Sequence, residues 1–138
     1  DYRLLAGRRV LVAEDNPTNL LILDKILKKF GMVTTTAQDG EEAVAHYCTP
    51  GAAFDIVLMD CEMPVMKGPE ATQRMREYEA LTGRPAVPII ALTAHTAPEL
   101  VEDFLRAGMS DHLGKPYSQE MLRSMLHRHL QRTTAVSP

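Results

Sequence analysis

Short apolar runs alternate with helical stretches five times along the chain, always strand first and helix second. The strand-like runs cover 9–13, 32–37, 54–59, 87–93 and, more weakly, 111–114. After the first run, Leu20, Leu23, Leu27 and Phe30 recur at the spacing of one helix face, with Ile26 beside them. Gly31 then supplies a stop. A second helix is predicted with its N-cap at Asp39–Gly40 and with Ala43, Val44 and Tyr47 along one side. Pro69 marks the first turn of a third, which turns Ala71, Met75 and Tyr78 inward. The fourth carries Leu100, Val101, Phe104 and Leu105 and ends at Gly108. The fifth starts at the N-cap Ser118 and is predicted to bury Met121, Leu122, Met125, Leu126 and Leu130.

Near-continuous apolar strands joined by helices imply an α/β fold: a parallel sheet covered on both faces, doubly wound into three layers. Right-handed crossovers leave few topologies. Sheets of this kind bind ligands at the carboxyl ends of their strands. That edge is where this chain places its chemistry. Glu14 and Asp15 follow the first run, Asp60 the third, Thr93 ends the fourth, and Lys115 follows the fifth, just before Pro116.

Composition narrows the classes. With 138 residues, 45% hydrophobic and 24% charged, the chain is one ordinary globular domain. A net charge of −3 with no dominant Lys/Arg stripe argues against nucleic acid as a main partner. No run is long enough to span a bilayer, and the start lacks the apolar core of a signal peptide. Two cysteines without a pairing pattern, Cys48 and Cys61, fit a reduced, cytoplasmic setting. The chain begins without Met, which suggests a piece of a longer protein whose membrane anchor, if any, lies elsewhere. Residues 1–8 read as a linker remnant, 9–131 as the domain and 132–138 as a tail.

Each site residue has an ordinary reading as well as a chemical one. Adjacent acids such as Glu14 and Asp15 suit a solvated loop, but also a hard cation held by carboxylates. Asp60 ends the most apolar run, where an ionised carboxylate is costly without a cation or a chemical use. With a divalent ion present, Asp60 stays ionised and can attack phosphorus to give an acyl phosphate. Thr93 is followed by the small Ala94, which leaves room for a phosphoryl group against its hydroxyl. Lys115 sits in a restricted Lys-Pro step and suits phosphate as a point charge. Together the five point to phosphoryl transfer.

The segments Val-Ala-Glu14-Asp15-Asn16, Met59-Asp60-Cys61-Glu62-Met63-Pro64, Leu92-Thr93-Ala94 and Lys115-Pro116 resemble the receiver domains of two-component and phosphorelay signalling. The resemblance covers roughly residues 9–130. It implies a flavodoxin-like (βα)5 sandwich with strand order 2-1-3-4-5. It also implies that Asp60 takes phosphate from a histidine kinase or histidine phosphotransfer domain. Glu14, Asp15, Asp60 and the backbone carbonyl of Glu62 would hold Mg²⁺ or Mn²⁺, Thr93 and Lys115 would bind the phosphoryl oxygens, and the Lys115–Pro116 bond would be cis. The stretches 14–19 and 59–66 look most like receivers of hybrid sensor histidine kinases, and a dimer or output partner would use the fourth helix, fifth strand and fifth helix.

Two positions depart from the family pattern. His112 stands where the family usually has Tyr or Phe, so the aromatic switch would be weakened or pH-tuned. Lys67 replaces a common acid and is expected to be exposed. Glu62 and His95, two residues beyond Asp60 and Thr93, would tune the lifetime of the phosphoryl group. His127 and His129 lie two apart and diverge on a helix, a poor metal pair.

Competing functions fit less well. A haloacid dehalogenase-type phosphatase would carry its nucleophile on the first motif strand with Asp, not Glu62, two residues on. A docking-only degenerate receiver would lack one of the five site residues. A dinucleotide carrier would need a Gly-rich turn where Glu14-Asp15 stands. No stand-alone enzyme activity is expected beyond the domain's handling of its own phosphoryl group.

Overall fold

Alternate residues of each strand face opposite sides of the sheet, and in the three central strands both sides are apolar. The computed structural model describes the backbone of residues 3–135 and the side chains of residues 3–131. Its strands are β1 (Arg9–Ala13), β2 (Val33–Ala37), β3 (Ile56–Asp60), β4 (Ile89–Thr93) and β5 (Asp111–Gly114). They are parallel, in the order β2-β1-β3-β4-β5. The helices are α1 (Pro17–Lys29), α2 (Gly40–Tyr47), α3 (Gly68–Thr82), α4 (Pro98–Ala107) and α5 (Gln119–Ala135). The expected three-layer, doubly wound flavodoxin-like sandwich is what the chain forms.

Two cores lie on either side of the sheet. Val10, Val12, Leu58 and Leu92 meet α1 and α5 through Leu23, Leu27, Leu122 and Leu126. Leu11, Val57, Met59 and Ala91 meet the other helices through Ala43, Tyr47, Met75 and Phe104. Period-2 strands thus serve two period-3.6 helix layers at once.

The strands start later than their hydrophobic runs. Met32 donates its N–H back to Leu27 O at 3.1 Å, so it closes α1 instead of joining the ladder. Asp55 takes the Arg9 N–H on its Oδ2 at 2.8 Å, which leaves Phe54 before β3. Pro88 has no N–H to give, and Val87 donates to Glu79 Oε2 at 3.1 Å. Two helices expose residues that their pattern placed inside. Leu100 and Leu105 are 39% and 50% exposed, because Phe104 and Ala107 alone turn α4 onto the sheet. Met121 is 48% exposed in the first turn of α5, beyond the cover of the sheet.

The ends of the domain reach past the expected boundaries. Leu5, read as linker, is fully buried among the α1 and α5 residues, and Gly7 N donates to Gly31 O at 2.8 Å. At the other end α5 runs to Ala135, into the stretch read as tail; residues 1–2 and 136–138 lie outside the described residues. The sheet edge opposite the strand carboxyl ends is tied by a buried polar network that periodicity does not reveal. Glu79 is 4% exposed; it accepts from the Tyr47 hydroxyl, from Val87 N and from Arg76, whose Nε bonds Gly108 O at 2.9 Å. Among the described residues no helix is long and apolar enough to cross a membrane.

Candidate functional site

Strand register brings the predicted side chains together. Ala13 pairs with Met59 and Asp60 with Leu92, so Glu14 and Asp60 leave neighbouring strand ends side by side, with Thr93 next to them. Lys115 N donates to Thr93 O at 2.8 Å, which carries the ladder one residue past β5. The Lys115–Pro116 peptide is cis. Its ammonium lies 3.2 Å from Asp60 Oδ1 and 3.6 Å from Glu14 Oε1.

Glu14, Asp15 and Asp60 each place a carboxylate oxygen within 4.8 Å of the others. Glu14 and Asp60 are 3% and 1% exposed, and Asp15 is half-buried. Three hard oxygen donors at this spacing fit a small divalent cation with room for waters. Burial, and then a hydrogen bond to Asp60, push the Glu14 carboxyl up to about 7. Burial pulls the Lys115 ammonium down, but the charges of Asp60 and Glu14 and the Asp60 hydrogen bond together hold it above its ordinary value. Cys61, beside Asp60, has its thiol pushed up to about 12 by burial and then by Glu62 and Asp60. The thiol is thus kept protonated, and so unreactive, near neutral pH.

Local structure holds these groups in place. Asn16 caps α1, its Oδ1 accepting from Asn19 N at 3.1 Å, and its own N–H donates to Glu14 Oε2 at 3.1 Å. The Asn before Pro17 is an N-cap signal in the sequence, although its hold on Glu14 is not. After Asp60 the chain makes a γ-turn: Met66 N donates to Pro64 O at 2.7 Å, with Val65 at φ 69°. Gly68 then packs so closely that a Cβ would lie 2.7 Å from Asp60 O. Only glycine fits there. Lys67 is exposed, as expected.

Thr93 is fully buried at its strand end. Its hydroxyl is within donating distance of Glu62 Oε2 at 3.0 Å and of the His95 carbonyl at 3.2 Å, and Ala94 N donates to Glu62 Oε1 at 3.2 Å. Glu62 N donates to Asp60 Oδ1 at 3.0 Å. His95 is exposed; its side chain makes no site contact among the described residues, and its N–H donates to Thr93 Oγ1 at 3.0 Å. His112 lies on β5, outside the cluster of Glu14, Asp15 and Asp60, half-buried, its Nδ1 3.8 Å from Asp111 Oδ1. Asp111 also meets His129 Nε2 at 3.0 Å, which pins α5 to β5. Beside Glu14 and Lys115 a cleft of about 300 Å³ is lined by Asn19, Ile22, Ile26, Pro116 and Tyr117.

The family model of the response regulator receiver domain matches residues 10–127. The chain belongs to this family. Among its relatives, the sensor protein GacS of Pseudomonas syringae pv. syringae is 39% identical over 118 residues, 86% of this chain. Hybrid signal transduction histidine kinase I of Dictyostelium discoideum is 38% identical over 87% of the chain. The receiver spans only 13% and 7% of those two proteins. Among solved structures, the receiver domain of sensor histidine kinase PA1611 from Pseudomonas aeruginosa PAO1, with a magnesium ion in its active-site cleft, superposes with a TM-score of 0.80. It is 39% identical, covering 91% of this chain and 99% of that one. The receiver of the response regulator Ssk1, crystallised with the histidine phosphotransfer protein Ypd1 of Saccharomyces cerevisiae, gives 0.83 at 30% identity, covering 90% and 89%.

Proposed function

We propose that this receiver accepts a phosphoryl group on Asp60 from a phosphohistidine and belongs to a hybrid sensor histidine kinase acting in a cytoplasmic phosphorelay. The observation that carries the reading is the row of Asp60, Glu14, Asp15, Thr93 and Lys115 along one sheet edge, with Asp60 buried and the Lys115 ammonium 3.2 Å from it. The kinase names of the relatives and the phosphotransfer partner of the Ssk1 receiver support the donor class.

In the transfer an Asp60 carboxylate oxygen forms a bond to phosphorus while the P–N bond of the donor breaks; the electron pair stays on the leaving imidazole, which takes a proton from water. Lys115 offsets the charge that gathers on the acceptor oxygen and the phosphoryl group. The Thr93 hydroxyl and the Ala94 amide would donate to phosphoryl oxygens in place of the Glu62 carboxylate that they meet in the unmodified domain. Burial of Asp60 keeps bulk water from the acyl phosphate. Mg²⁺ or Mn²⁺, held by Glu14, Asp15, Asp60 and the Glu62 carbonyl, would supply charge neutralisation for the same oxygens. The neighbouring magnesium-bound receiver supports the first of these ions.

The rim formed by α1 offers a donor histidine a route to the site. There Ile22 is 52% exposed, and the cleft that it lines with Ile26 reaches Glu14 and Lys115. This rim suits an amphipathic helical donor. The exposed Leu100, Leu105 and Met121 on α4 and α5 offer a separate face for a dimer or output partner, with His112 modulating the switch and His95 the phosphoryl lifetime.

The test is Mg²⁺-dependent labelling by a phosphodonor, with Asp60→Asn as the comparison. Stoichiometric labelling of the wild type that alkali or hydroxylamine removes, and none of the variant, is expected. Equal labelling of both, or catalytic turnover of phosphate esters, would overturn the assignment.

A further inference from the structure

One contact at the Asp60 rim has no part in the transfer as described. Glu62 is exposed, with water freely available to its carboxylate, yet both of its oxygens are engaged by protein donors. Oε2 accepts from the Thr93 hydroxyl at 3.0 Å, closer than the other acceptor of that hydroxyl, the His95 carbonyl at 3.2 Å, and Oε1 accepts from the Ala94 amide at 3.2 Å. Those are the hydroxyl and the amide that a phosphoryl group on Asp60 would need. The Glu62 main chain is itself fastened to the acceptor, its N–H donating to Asp60 Oδ1 at 3.0 Å. The side chain therefore starts from a point fixed beside the acceptor and reaches across to β4.

A carboxylate and a phosphoryl group make the same demand on such donors. Each presents paired anionic oxygens, and each forms short, charge-assisted bonds to hydroxyl and amide hydrogens. Both cannot hold one hydroxyl hydrogen. Lys115 is not contested in this way, since its ammonium is already directed at Asp60 and Glu14.

We propose that the Glu62 carboxylate is a resident competitor of the phosphoryl group: it occupies the Thr93 and Ala94 donors in the unmodified domain and must rotate into solvent before a phosphoryl group on Asp60 can engage them. The proposal rests on Asp60 being the acceptor and gives Glu62 a definite sign. The residue disfavours the loaded state. Because Glu62 is exposed, each of its bonds is worth less than a buried charged one, and displacing two should cost a loading factor of roughly three to ten. Rotation would also move a negative charge from the Thr93 side of the rim to its outer surface, a change that a docked partner would sense.

A simpler effect has to be separated from this one. Glu62 repels an incoming anion through space whether or not it touches Thr93, and any neutral substitute would relieve that. Competition requires the shared donors, whereas repulsion does not. A double-mutant cycle distinguishes them.

The probe is beryllium fluoride, a phosphoryl analogue, titrated calorimetrically at saturating Mg²⁺ into the wild type, Glu62→Ala, Thr93→Ala and the double variant. Competition is upheld if Glu62→Ala tightens binding about three- to tenfold and the gain shrinks below about twofold in the Thr93→Ala background. It is overturned if Glu62→Ala gives no gain, or gives the same gain with Thr93 absent. Asp60→Asn is run alongside: if that variant binds the probe as the wild type does, the acceptor assignment itself fails, a different result from either of these.

Discussion

Cation binding at the acidic cluster should release a proton near neutral pH, and Glu14 should be its source. The Glu14 carboxyl is pushed from an ordinary value of 4.5 up to about 7, first by burial and then by its hydrogen bond to Asp60. In the metal-free domain it is thus about nine-tenths protonated at pH 6 and about one-tenth at pH 8. A divalent cation needs the ionised oxygen, so binding displaces that proton. The apparent affinity for Mg²⁺ should then rise about tenfold between pH 6 and pH 8, with most of the change below about pH 7. The sign for stability follows from the same shift. A carboxyl held above its ordinary value binds a proton on folding, so the metal-free domain loses stability as pH rises from about 4.5 to about 7, by at most about 3 kcal/mol, and Mg²⁺ restores it. Calorimetric titration in two buffers of different ionisation enthalpy measures the proton directly. Glu14→Gln should remove both the proton and the pH step. A flat affinity from pH 6 to 8, or no proton release at pH 6.5, would refute the reasoning.

Two further outcomes are expected. Leu5→Ala should destabilise the domain by about 2–5 kcal/mol in urea unfolding, because it empties a fully buried position between α1 and α5; a loss below about 1 kcal/mol would mean that the segment does not belong to the core. His112→Tyr should enlarge the phosphorylation-linked change on the α4–β5–α5 face, read by amide chemical shifts with and without beryllium fluoride, and identical shifts in the two proteins would remove His112 from the switch.

How far the chain could be read in advance depends on what kind of constraint acts on each residue. Asp60 was legible because four apolar residues, Ile56, Val57, Leu58 and Met59, lead directly to it, where a charge demands a reason, and β3 does bury every residue up to and including it. The same logic found Glu14, Thr93 and Lys115, since parallel strands in register carry their carboxyl ends to one line. Helix faces were legible only as far as the sheet covers them. The stripe of α4 is wider than its footprint, so Leu100 and Leu105 remain outside while Phe104 goes in. Leu5 has no periodic partner near it in sequence, and its burial is decided by α1 and α5. Glu79 falls beside the inward positions of α3 but reads as surface charge; the hydroxyl that justifies it comes from Tyr47, 32 residues away.

Glu62 marks the boundary between these kinds of constraint. Its residue type and its position two beyond Asp60 were visible as a tuning position, but the direction of its effect was not. The direction depends on a side-chain rotation toward donors 31 and 32 residues further on. Backbone alternation carries no record of that choice, whereas it does dictate that Thr93 reaches the edge. A rim residue also needs no fixed partner for the fold to be stable, so its rotation is free to respond to what binds at Asp60. The chemistry of this receiver is thus written by strand ends, and the bias of its equilibrium by a side chain that the strands leave unconstrained. Substitutions at Glu62 should therefore shift loading while leaving the unfolding midpoint of the metal-free domain nearly unchanged, which is the opposite of what Leu5→Ala should do.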